Sequence, residues 1–285
     1  ESIYIMYGTT DAFLYYLAMQ ESSSGAMMAI DEKYRPEMLV FLPQQDTPII
    51  TQSKAISVVG TALYNHTEGY GSYLIPAVLM VIIFQTLLMV IGMISGDEKN
   101  TGALSIYAGR EKSFFPVSRI VLGKTFVYCS LYFIFSLFLL GLMPVLFSLP
   151  NIGHKYEITM LMIPYLLASS FFGLAASVFY TDSESPLLMI AFFSVGLIFL
   201  SGVSYPLELM PWYWKVAHFI IPAAPGTLAF VKINSMGASM ADIRQEYITL
   251  WLQCIVYFIF AVMAYRYNIK KCMTQKTRKE IGSFM

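Results

Sequence analysis

From residue 73 onward, apolar residues arrive in long unbroken blocks separated by shorter polar segments that hold the charges. A helix needs about 20 largely apolar residues to cross the hydrocarbon of a bilayer. Five blocks meet or approach that length: residues 73–95, 120–149, 158–180, 187–203 and 247–265. Gln85 is the most polar side chain of the first, and Pro76 sits near its start, where a missing amide hydrogen matters little. Lys124 lies close enough to the end of the second to snorkel out. Residues 1–72 follow another pattern, with short apolar runs (IYIMY, MLVFL, PIITQ) between polar stretches and prolines at Pro36, Pro43 and Pro48. That mixture predicts a small α+β domain, with Asp11 capping one helix and residues 54–64 forming another.

Composition fixes the class. The chain is 57% hydrophobic and 13% charged, against about 45–50% and about 25% in soluble domains, and its mean hydropathy is +0.61. The expected fold is mainly α and polytopic, a transmembrane domain over 73–266 between an outer domain and a basic tail over 267–285. Eighteen basic residues balance eighteen acidic ones, so no field attracts nucleic acid, which is excluded as a partner. Cys129, Cys254 and Cys272 are odd in number and fall in apolar runs or the tail, suggesting neither a disulfide framework nor a zinc cluster. His66, His154 and His218 have no partners at metal-ligand spacing and read as surface or interfacial residues.

Eleven of the eighteen basic residues lie between the first two blocks, at the start of the second (Lys124) or after the fifth. Such an excess marks the cytoplasmic side, which puts the start of the chain outside and its C-terminus in the cytoplasm. Residues 1–72 must then be exported, yet no apolar signal precedes them. The expectation is an upstream signal-anchor helix, giving six spans in the parent protein, with a cleaved signal peptide as the alternative.

The block centres carry no Asp, Glu, Lys, Arg or His. Proton-coupled carriers, pumps and intramembrane proteases need such groups inside the membrane, so energy for transport has to come from a gradient or another subunit. Residues 118–125 (SRIVLGKT) imitate a phosphate-binding loop, but Ser118 replaces its first glycine and the string runs into an apolar block. An ATP-driven function therefore calls for a partner.

Two polar segments carry most of the remaining information. Residues 96–118 place Asp97 and Glu98 before Thr101, then Ala103, Leu104, Ile106 and Tyr107, then Arg110 and Lys112, predicting a short amphipathic connector helix. That helix could lie on lipid or dock a cytosolic partner. Residues 204–226 hold Pro206, Pro211, Pro222 and Pro225, the charges Glu208 and Lys215, and the aromatic cluster Trp212, Tyr213 and Trp214. This cannot cross the membrane as one regular helix and predicts a re-entrant or interfacial hairpin, serving as gate or as anchor.

Taken together, the DEKNTGAL connector, the later Pro116, Gly123 and Lys124, and the outer series Ser201, Gly202, Pro206, Met210, Pro211 and Pro222 resemble the membrane subunits of ABC exporters of the second type. The resemblance covers about residues 70–270. It implies six spans with a large outer domain after the first, placement in the plasma membrane (in bacteria, the inner membrane), and pairing with a second copy or a related permease. It further implies that Asp97, Glu98, Thr101, Gly102, Leu104 and Tyr107 belong to a coupling helix seated in an ATPase subunit. ATP and Mg would be bound there, with no cofactor on this chain. Ser169, Gly173 and Ser177, repeating every four residues, could allow close helix approach, as could Gly92 and Gly96. The reading from a different class is a membrane sensor or assembly protein with an outer ligand-binding domain.

Overall fold

The computed structural model describes residues 70–107, 109, 113–147, 152–180, 182–203, 207 and 210–283. The α+β domain expected over residues 1–72 lies outside this set, apart from the helical residues 70–72. Among the described residues the chain is helical, with no strand. In order, the elements are α1 (Tyr70–Asn100), α2 (Phe114–Ser136), α3 (Met143–Leu146), α4 (Lys155–Ala176), α5 (Ser185–Leu200), α6 (Trp212–Ile220), α7 (Ala223–Met236) and α8 (Arg244–Ser283).

Four stretches are long and apolar enough to span a bilayer: Leu74–Asn100, Phe114–Leu146, Lys155–Phe179 and Arg244–Thr274. The pair α6 and α7, bent by 87°, makes a fifth if it is counted as one broken span. The block at 187–203, the shorter one expected, forms α5, whose 16 residues reach about 24 Å at 1.5 Å per residue, less than the four stretches above. Ser201 and the positive-φ Gly202 follow its end.

Within the long span that begins with α2, residues Leu137–Leu142 adopt a π-helical turn that leads into α3. Pro144 cannot donate to the carbonyl four residues back, and the widened turn accommodates that gap. This stretch faces away from the bundle: 28% of its span window is buried, against 61% for α4. Phe115, Phe126, Ile134 and Val145 are exposed along it, an apolar face suited to lipid.

α4 is the central post, with α8 and α1 packed against it. Its Tyr165 is fully buried and donates its hydroxyl to the Met80 carbonyl of α1 at 2.8 Å. α7 comes so close that a Cβ on Gly226 would stand 2.2 Å from the Tyr165 ring, so no larger residue fits there without movement. The small residues of α4 work within the chain. Ser169 and Ser177 are buried, and a Cβ at Gly173 meets Ile91 of α1 at 3.1 Å. On α1, Gly92 and Gly96 admit the segment entering α5, whose Pro186 and Asp182 backbone would collide with any side chain there.

Charges collect at the two ends of the bundle. At one end Lys232 of α7 pairs with Glu246 of α8 at 2.7 Å, and Glu157 accepts the Met240 amide at 3.3 Å. In the nearby exposed turn the Ser239 hydroxyl and amide both donate to Asp242, holding its carboxyl below the usual value. The other end carries Lys99, Lys124, Arg266 and Lys270 and is called the basic end below.

Gly226→Val should force Tyr165 off its rotamer and lower unfolding stability in detergent by about 1–3 kcal/mol, the usual range for overpacking. Combining it with Tyr165→Leu should restore part of that loss, and thermal unfolding of the two variants checks the coupling.

Candidate coupling site and bent hairpin

The basic end is organised around one carboxylate. α1 continues through Asp97, Glu98 and Lys99 to Asn100, so the expected connector over 96–118 is not a single helix. Its first residues extend α1, which stops where the Thr101 amide and hydroxyl both bond back to the Asp97 carbonyl, at 2.9 and 2.7 Å. Gly102, at φ +70°, then reverses the chain in the left-handed conformation that commonly caps helices. The five-residue 3-10 segment Ala103–Tyr107 follows. With left-handed glycines at 102 and 109 on either side, too little chain remains for a longer α-helix, and the tighter turn takes its place.

Glu98 points inward rather than outward. It accepts from Lys124 of α2 at one oxygen and from the Tyr265 hydroxyl of α8 at the other, 2.5 Å away. Lys124 Nζ also lies 5.0 Å from the centre of the Tyr265 ring. One carboxylate thus ties α1, α2 and α8 together. Beside it, Lys99 donates to the carbonyls of Ser177 and Tyr180, at 2.5 and 2.7 Å, and caps the end of α4. Asn268 of α8 completes the cluster by donating to the Ser177 hydroxyl at 3.2 Å.

The six connector residues anticipated from sequence therefore fall into different groups. Glu98 and Leu104 face the bundle, and Leu104 is only 2% exposed against its own chain. Gly102 and Tyr107 are half-buried, whereas Asp97 and Thr101 are exposed together with Asn100. Ile106 is 79% exposed, the most prominent apolar side chain of the segment. Sequence reasoning did not single out Tyr265 or Lys99. Tyr265 is an ordinary aromatic in an apolar block, and only the fold brings it to Glu98. The SRIVLGKT string is helical within α2 and its Lys124 is bound to Glu98.

At the other end, Pro206 and Glu208 lie outside the described residues, while Pro211 caps the start of α6 and Trp212 is exposed with Tyr213 and Trp214. α6 turns into α7 at Ile221 and Pro222. The bend leaves the last carbonyls of α6 without intrahelical donors, and α8 supplies them: Gln253 donates to Phe219 at 2.7 Å, and the Tyr257 hydroxyl donates to Ile220. His218 is buried rather than at the surface, with Nδ1 2.8 Å from the Leu200 carbonyl at the end of α5. A carbonyl only accepts, so that nitrogen carries the proton. Gln85 likewise has a structural partner, donating to the Ser194 hydroxyl at 2.9 Å.

The described residues thus form a multi-span helical bundle with a bent hairpin at one end and, at the other, a short exposed connector that adjoins a carboxylate tying three helices together. The sequence pattern of the family described as ABC-2 family transporter protein matches residues 3–263. The chain belongs to that family. It is an ABC permease, a multi-pass membrane protein and a transport subunit, and membership implies an ABC ATPase partner. No curated protein matches the chain.

Leu104→Asp should lower stability in detergent by about 2 kcal/mol or more, because it buries a charge without a partner, whereas Ile106→Asp should change it by less than about 0.5 kcal/mol. Lys124→Met should be destabilising alone, and Glu98→Gln with Lys124→Met should recover about 1–3 kcal/mol of coupling. Thermal melts of the purified variants read out both comparisons.

Proposed function

We propose that this permease exports a hydrophobic or amphipathic compound from the cytoplasm or the membrane, driven by ATP hydrolysed on a separate subunit. The observation that carries the reading is the two-sided construction of the connector. Asp97, Asn100, Thr101 and Ile106 form an outward surface, while Glu98 and Leu104, on the same short stretch, are fixed to the bundle. A partner that pushes on the outer surface moves a segment tied to α2 and α8 through Lys124 and Tyr265. The absence of ionisable residues from the apolar block centres supports an external source of energy.

In this reading the connector and the basic tail are cytoplasmic, and the membrane is the plasma membrane, in bacteria the inner one. ATP and Mg belong to the ATPase, and two copies, or this chain and a related permease, form the path. The Pro206, Glu208, Pro211 and Trp212 region serves as the outer gate. It is continuous with α6, whose end is held by side chains rather than by further helix and so can shift without breaking a span.

Purification of the tail-tagged protein from membranes in mild detergent should bring down an ATPase bearing a phosphate-binding loop, in a fixed ratio found by mass spectrometry. Ile106→Asp should reduce that recovery by about tenfold, a loss typical of a docking residue worth more than about 1 kcal/mol, while bundle stability is kept. A chain recovered alone, or with a signalling protein, overturns the reading in favour of a sensor or assembly role.

A further inference from the structure

A slot of about 660 Å³ opens in the side of the bundle, bounded by α1, α4, α5 and α8. Phe84, Phe172, Ala176, Phe193 and Phe260 make its wall almost wholly apolar, with Gln85 already engaged by Ser194. Towards the basic end it adjoins two smaller cavities. One, of about 230 Å³, shares Met263 and Tyr267 with the slot and adds Arg266 and Lys270. The other, of about 210 Å³, shares Val178 and Tyr180 and adds Lys99 and Lys271. No acidic side chain lines any of the three among the described residues.

From this juxtaposition we propose that the slot is a binding site for an anionic phospholipid of the surrounding bilayer, with an acyl chain along the apolar wall and the phosphate at Lys270 and Lys271. Lys99 is committed to the Ser177 and Tyr180 carbonyls, and Arg266 has interactions of its own. The headgroup contact therefore rests on Lys270 and Lys271, which are exposed on α8. A free phosphate would leave the apolar slot empty, and a neutral lipid would leave the basic rim unanswered. Basic pockets at the ends of spans are a recurrent solution for anionic headgroups. The site depends on the cavity and its rim, not on export, and its test involves no nucleotide or ATPase, so its failure and that of the export reading are separable.

Native mass spectrometry of the full chain in mild detergent, offered palmitoyl-oleoyl phosphatidylglycerol or the matching phosphatidylcholine, tests the assignment. The glycerol lipid should be retained about tenfold better, a preference that two lysines near the headgroup can supply. Lys270→Gln with Lys271→Gln, both at exposed positions, should bring it to the level of the choline lipid. Ala176→Phe, which narrows the slot, should lower retention of both lipids while the melting point is maintained. Equal retention of the two lipids overturns the proposal, as does a preference untouched by the lysine changes. Displacement by excess inorganic phosphate with no effect of Ala176→Phe reduces the site to a surface anion contact and overturns it too. So does a dimer that Ala176→Phe dissociates without loss of lipid, since the occupant would then be a second copy. Should Ala176→Phe unfold the chain, the lysine pair alone decides.

Discussion

A helix that ends against packed protein leaves carbonyls that its own amides cannot satisfy, and the arrangement of this bundle depends on how those ends are met. The end of α4 is met by the ammonium of Lys99, the end of α5 by His218, and the end of α6 by Gln253 and Tyr257. Each donor comes from a helix other than the one whose end it meets, so every irregular end is also a tie between elements. The ends of α4, α5 and α6 are met by α1, α6 and α8 in turn. Van der Waals packing at Gly92, Gly96, Gly173 and Gly226 brings the helices near enough for those side chains to reach.

The same logic makes the basic end mechanically connected. Glu98 lies between Lys124 and Tyr265, so its attachment to α2 and α8 is directional and hydrogen-bonded rather than merely greasy. An apolar contact tolerates sliding, whereas a carboxylate with two charge-assisted or hydroxyl donors resists it over a few tenths of an ångström. Lys99, one residue on, fastens α1 to the end of α4. A displacement of the connector is therefore shared among four long elements, while the π-helical turn in the second span offers a point at which that span can change pitch.

How much of this was legible in the sequence follows from the kind of signal each feature leaves. Four of the long apolar blocks announce spans, because hydropathy over about 20 residues is a local property. The block at 187–203 has the composition of a span, while the bounds of its helix follow from Gly202 and from the packing of the segment after Tyr180 on Gly92 and Gly96, which sequence does not display. The connector was legible as a place but not in its geometry. Acid, then Thr-Gly, then an apolar run fits an amphipathic helix, yet Gly102 and Gly109 allow only a 3-10 segment. Which faces turn inward was not readable at all, since Glu98 meets a tyrosine 167 positions away. His218 looked interfacial because its neighbours are Trp212, Tyr213 and Trp214, and its burial depends on the Leu200 carbonyl of another helix.

The polar groups of the bundle thus perform two tasks that composition alone cannot separate. Those at Lys99, His218, Gln253 and Tyr257 close off backbone carbonyls and hold a shape within the chain. Those at Asp97, Thr101, Lys270 and Lys271 stand at the surface of the basic end, where the proposals above put the partner and the anionic headgroups. Between the two sets runs an interior with an apolar slot along one side and no charge at its centre. Glu98 of α1, bound to Lys124 of α2 and Tyr265 of α8, joins three helices through one carboxylate, and in the export reading proposed above work delivered at the basic end reaches all three through it.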